Sequence, residues 1–129
     1  MKVSTLVPRQ GFGFTDGVLP EKCSSRVVLD HITSKWGVLV LVALSEQTLR
    51  WGELRRVVEG ISEKMLAQTL KTLEADGIVR RDAQAIIPPR VDYSLTTRGR
   101  DVVDRLLPLM GWISDNADEI LAGTSAASA

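Results

Sequence analysis

Seven consecutive apolar residues, Val38 to Leu44, do most to limit what this chain can become. Wound as a helix from Lys35 to Ser45, the stretch carries Trp36, Leu39, Val40 and Ala43 on one face and Val38, Leu41, Val42 and Leu44 around the rest. A helix that is apolar nearly all round has no side to give to water, so other elements must enclose it. Seven residues are far short of the roughly 20 that a bilayer span requires, which makes this a core helix and not a membrane anchor. The chain can supply the enclosure: 44% of its 129 residues are hydrophobic and 25% charged, the balance of a globular protein about one domain long.

The flanking sequence provides the enclosing elements. Val28, Leu29 and Ile32 follow helical spacing and predict a short helix over Ser25–Ile32. Ser34 is placed to cap the core helix. Leu49 and Arg50 suit a brief strand before a helix over Gly52–Val58, and Glu59 and Gly60 turn the chain. Ser62 can cap a helix reaching Asp76, with Met65, Leu66, Thr69, Leu70 and Leu73 as its apolar stripe and Gly77 as its stop. Ile78–Asp82 and Val91–Leu95 read as a hairpin whose tip holds Pro88 and Pro89. After Thr96 a helical region follows, which Pro108 and Gly111 are expected to kink or split. The expected organisation is an irregular arm over residues 1–22, a folded domain over 23–122 and a flexible tail over 123–129. Met1 to Phe14 lacks a continuous signal-peptide core, so the chain reads as cytoplasmic.

Chemistry is excluded by scarcity. One cysteine and one histidine leave no intrachain disulfide, structural zinc site or two-histidine metal site. No phosphate-binding loop and no nucleophile with a convincing base appear, so neither an enzyme nor a cofactor is expected. Cys23 and His31 lie about 12 Å apart along a helix, too far to act as a pair. Sixteen basic residues balance sixteen acidic ones, which argues against coating nucleic acid by bulk attraction. The charge is unevenly placed, however: residues 101–129 hold five acidic groups against one basic, which leaves the positive excess ahead of that tail.

Helix, turn, helix and hairpin in this order make a winged helix-turn-helix, a mostly α fold of α+β type with a small β-hairpin wing. In that arrangement the second helix enters the major groove of DNA. Ser62, Lys64, Gln68 and Lys71 lie on or beside its outward face: glutamine can pair with adenine, and lysine can reach guanine acceptors or phosphate. Arg80, Arg81 and Arg90 flank the hairpin tip and can hold phosphate, or can be neutralised by Asp82 and Asp92. Arg90 is the first choice among them. Arg55 and Arg56 either contact phosphate at the groove edge or pair with Glu59. A competing class is a protein-interaction module that uses the same surface without DNA.

The chain resembles the HxlR-type winged helix-turn-helix transcriptional regulators, a MarR-like group, from Cys23 to about Trp112. The resemblance rests on Cys23 with Leu29-Asp30, Lys35-Trp36, Gly52-Glu53-Leu54-Arg55-Arg56, Gly60-Ile61-Ser62 with Lys64-Met65-Leu66, Leu73-Glu74-Ala75-Asp76-Gly77, Pro88-Pro89-Arg90-Val91 with Tyr93-Ser94-Leu95-Thr96, and Gly99. It implies a homodimer on a double-stranded DNA operator that answers a small-molecule or electrophile inducer, with no membrane partner. The chain departs from the family's usual pattern at Thr33-Ser34, at Ala67-Gln68-Thr69-Leu70-Lys71, where an arginine is usual at Thr69, and at His31, where an apolar residue is usual.

Two expectations remain. Cys23 resembles the cysteine of redox-sensing members; a cation and a helix N-terminus nearby favour the reactive thiolate, while the alternative is a small buried packing residue. Val103, Leu106, Leu107, Met110, Ile113, Ile120 and Leu121 offer more apolar surface than one small winged domain can cover, and so read as a dimer interface.

Overall fold

A computed structural model describes residues 23–128, with side chains to Gly123, so the expected arm over residues 1–22 lies outside the described residues. The elements run α1 (Ser24–Thr33), α2 (Lys35–Ala43), β1 (Leu49–Arg50), α3 (Trp51–Val57), α4 (Glu63–Ala75), β2 (Val79–Gln84), β3 (Arg90–Leu95) and α5 (Thr97–Ser128). The chain is mostly helical, with one antiparallel sheet in the order β1-β3-β2.

The all-apolar helix α2 takes the central place that its composition demands, packing against α1, α3, α4 and α5. Ser34 Oγ caps it by accepting from Gly37 N at 3.0 Å. Val40 and Leu41 of α2 and Leu44 at its C-cap meet Leu54 of α3, Leu66, Leu70 and Leu73 of α4, Ile78 and Val79 at the sheet, and Val103 and Leu106 of α5 in one core. Each such side chain contributes about 1.5–3 kcal/mol on leaving water.

The C-terminal end of α4 is fixed from several directions. Gly77 N donates to Glu74 O and Ile78 N to Leu73 O, both at 2.9 Å, which closes the helix with a Schellman motif. Gly77 has φ of +74°, the left-handed conformation that glycine adopts without steric cost. Thr96 Oγ1 is 2.6 Å from Gly77 O and accepts from Gly99 N at 3.0 Å, so one hydroxyl joins the end of α4 to the start of α5. A Cβ on Gly99 would stand 2.1 Å from Ile78 O, so only glycine lets α5 approach this closely.

Three expectations change. Pro108 lies within α5 without splitting it, and the helix continues past Gly111 and Gly123 to Ser128. Proline removes one hydrogen bond to the carbonyl four residues back, but Pro108 and Asp104 are both exposed, so water can take up that carbonyl. Val103 and Leu106 belong to the chain's own core at 0% and 8% exposure, so their cover comes from their own chain and not from a dimer partner as expected. Leu107, Ile113, Ile120 and Leu121 are exposed and Met110 is half-buried; Leu109 and Trp112 are exposed beside them. Among the described residues no helix is long and apolar enough to cross a membrane.

Candidate nucleic-acid interface

Helices α3 and α4 with the turn between them form the helix-turn-helix, and β2 and β3 form the wing. Ser62 Oγ accepts from Met65 N at 3.0 Å, so Ser62 caps α4 at the end where free N–H groups collect. Burial then divides α4 by residue. Leu66, Thr69, Leu70 and Leu73 face inward, whereas Lys64, Gln68 and Lys71 are exposed at i, i+4 and i+7 along one side. Packing thus fixes the direction of the helix and leaves a stripe of two cations and an amide in solvent.

The grooves beside α4 separate the candidates further. Gln68 borders a small cleft against α1, shared with Asp30, His31, Ser34 and Thr72. Lys71 borders a groove on the wing side, shared with Trp51, Glu74, Arg81 and Tyr93. The strand register explains why Arg81 is there. Arg81 pairs with Tyr93, on the same side as the Val79–Leu95 pair, so its side chain lies on the inner side of the sheet. Arg80, opposite Ser94, points to the other side and is exposed.

Arg90 has a different setting. Its Nε donates to Asp92 Oδ1 at 3.0 Å, and Gln84 Nε2 donates to Asp92 Oδ2 at 2.8 Å. Asp92 is 9% exposed, so its carboxylate depends on these donors for the solvation it has lost. Arg90 therefore supports the wing internally, while Arg80 and Arg81 have no ion pair among the described residues. Arg55 lies 3.9 Å from Glu63, a loose exposed contact; Arg56 is exposed, and neither pairs with Glu59. Glu53, rather than any arginine, secures the start of α3, its Oε1 accepting from Arg50 N at 2.9 Å.

The residue pattern alone did not reveal the contact between α1 and α4. His31 Nδ1 and Asp76 Oδ2 are 2.7 Å apart, joining the last turn of α1 to the C-cap of α4 across 45 positions. A polar side chain at an otherwise apolar position was its only trace in the sequence. Arg98 Nη1 also donates to Asp76 O at 2.7 Å. Cys23 sits at the N-cap of α1, half-buried and free, with its carbonyl accepting from Arg26 N and Val27 N. Lys22, the cation next to it in sequence, lies outside the described residues.

Known proteins share both this sequence and this architecture. The HxlR-like helix-turn-helix family matches residues 31–120. The HTH-type transcriptional regulator YtfH of Escherichia coli K12 is 53% identical over 102 residues, covering 79% of this chain and 81% of its own. The structure of a transcriptional regulator YtfH from Salmonella typhimurium superposes with a TM-score of 0.78 at 48% identity, over 84% of this chain and 97% of that one. A redox regulator, HypR, in its reduced form superposes with a TM-score of 0.70 at 34% identity, over 78% of this chain and 99% of that one. With a helix-turn-helix, a two-stranded wing within a three-stranded sheet and an outward polar stripe on its second helix, the chain belongs to the HxlR-like helix-turn-helix family of DNA-binding transcriptional regulators.

Proposed function

We propose that this regulator acts as a homodimer on an inverted-repeat operator, with α4 of each subunit in the major groove and each wing along the neighbouring backbone. The observation that carries this reading is the exposed Lys64, Gln68 and Lys71 stripe on a helix fixed at both ends and along its buried face. Gln68 reads a base edge, while Lys64, Lys71, Arg80 and Arg81 hold phosphate or guanine acceptors. Dimerisation is supported by the apolar residues left exposed on α5, with Trp112 at 56% and Leu109 at 54%. Two-fold symmetry then sets half-sites about 34 Å apart, or a multiple of it.

The test is selection of a duplex from a random-sequence library, followed by affinity measurement at several salt concentrations. Gln68→Ala is expected to cost about 1–3 kcal/mol on the selected duplex and to flatten discrimination between sequences, with an unchanged Tm. Absence of salt-dependent duplex binding by the wild type would leave the protein-interaction module as the better reading.

Regulation is proposed to act through Cys23. It occupies the N-cap position of α1, and α1 reaches the reading helix through His31 and Asp76, so bulk added at one end of α1 is mechanically connected to the end of α4. The similarity to the redox regulator HypR agrees with this. The described fold contains no second cysteine, and Cys23 is the only one in the sequence, so oxidation must yield a sulfenic acid, a mixed disulfide or a disulfide between subunits; an electrophile would form an adduct. Diamide or a quinone should lower wild-type operator affinity and leave Cys23→Ser unchanged, with non-reducing electrophoresis reporting any linked dimer. Equal response of the two proteins assigns Cys23 to packing.

A further inference from the structure

The last hydrogen-bonded register of the wing is Gln84 with Arg90, which leaves a five-residue tip, Ala85-Ile86-Ile87-Pro88-Pro89. Hairpin tips ordinarily use glycine, asparagine, aspartate and serine, because these turn the chain and tolerate water. This tip is wholly apolar. Ile87 is 100% exposed and Ile86 48%, and both prolines are exposed, so among the described residues nothing covers Ile87 at the point of the tip. The exposed apolar residues of α1 and α5 lie on helical faces suited to another helix; the wing tip is a narrow point on a different element.

We propose that the Ile86–Ile87–Pro88 tip is an apolar wedge that enters the DNA minor groove beside each half-site and partly unstacks a base step there. The inference rests on the DNA-binding reading above and adds the chemistry and position of a second contact. Three features favour DNA as the occupant. First, the cations lie behind the point: Arg80 and Arg81 are exposed on opposite sides of β2, where they can engage phosphates on either side of a groove. Second, Arg81 borders the groove beside α4, and three residues of extended strand carry the chain roughly 10 Å farther to Gln84, so the tip stands well away from the groove that Lys71 and Arg81 share. Third, a minor groove about 6 Å wide excludes a helix but admits side chains at a hairpin tip, and isoleucine and proline are among the residues that wedge between base steps there. Because unstacking is easiest at TA and CA/TG steps, this contact would select such a step flanking each half-site without hydrogen-bonding to it.

The experiment uses full-length protein and a duplex that the wild type selects from a random library, with 2-aminopurine substituted in the flanking steps and circularly permuted copies to report bending. Wild type is expected to bend the duplex and raise 2-aminopurine fluorescence at one flanking step per half-site. The double variant Ile86→Ser with Ile87→Ser should keep its Tm, sedimentation mass and salt slope, lose the bend and the fluorescence rise, and bind about tenfold more weakly. Ile87→Met, which retains an apolar point, should bend the duplex as wild type does. An unaltered bend and affinity in the double variant would overturn the wedge while leaving the DNA-binding reading intact. A fall in sedimentation mass would overturn it in favour of a tip that docks on a second copy of the chain. Wild type that binds no duplex would overturn both readings.

Discussion

The two halves of α5 carry the same kind of residue to opposite ends. From Thr97 to Leu106 the helix is held by Thr96, by the close approach at Gly99 and by burial of Val103 and Leu106 in the core. From Leu107 to Leu121 it presents Leu107, Leu109, Trp112, Ile113, Ile120 and Leu121 at the surface of the chain. Apolar spacing is continuous across the boundary; the first half is distinguished by the chain packed against it, with Ile78 and Leu95 beside Gly99 and Val103 and Leu106 in the shared core. Helical periodicity therefore identifies an apolar face, but does not distinguish one that its own chain covers from one that it leaves exposed.

Substitutions in the two halves should separate these fates. The largest effect is expected from Val103→Asp, which places a carboxylate without a partner in the apolar core; an uncompensated buried charge costs at least about 3–5 kcal/mol, enough to remove most of a small domain's stability. Circular dichroism should show loss of the cooperative thermal transition. Trp112→Asp with Ile113→Lys should instead preserve the helical spectrum, because both side chains are exposed in the chain. In that variant sedimentation velocity should give a monomer, and operator affinity should fall by two orders of magnitude or more as the two reading helices lose their common frame. A double variant that sediments and binds as wild type does would remove the distal half of α5 from the proposed dimer interface.

The same distinction explains how much was legible in advance. Local chemistry was readable: Ser34 and Ser62 accept the N-cap bonds expected of them, Gly77 ends α4 with positive φ, and Thr96 caps α5. The polar stripe of Lys64, Gln68 and Lys71 was readable too, because Leu66, Leu70 and Leu73 fix the opposite face. What depends on distant chain was not. His31 and Asp76 are 45 positions apart, and nothing in either neighbourhood names the other. Val103 and Leu106 looked interchangeable with Leu107 and Ile113, since all occupy one apolar series. Pro108 carried a correct local rule whose consequence depended on water reaching Asp104 O, a matter of tertiary position.

The smallest expected effect lies in the wing, where two arginines repeat the contrast between a residue used within the chain and one left for a partner. Arg90 donates to the buried Asp92, which also takes the amide of Gln84, so its charge is already answered. Arg81 lies nine positions earlier, has no ion pair among the described residues and borders the same groove as Lys71. If Arg81 contacts phosphate, Arg81→Ala removes about one released counterion and lowers the slope of log affinity against log salt by about one, uniformly across sequences. It should leave stability within about 0.5 kcal/mol of wild type, as expected for an exposed side chain. Arg90→Ala should reverse the balance. Loss of the donor leaves Asp92 Oδ1 unanswered in a site only 9% exposed, at a cost of about 1–3 kcal/mol in stability, while the salt slope changes by less than that of Arg81→Ala. Paired titrations of the two variants on one duplex, each with its own melting curve, decide the matter. A larger slope change for Arg90→Ala than for Arg81→Ala would mean that Arg90 leaves Asp92 for phosphate on binding, and that the internal pair belongs to the free protein alone.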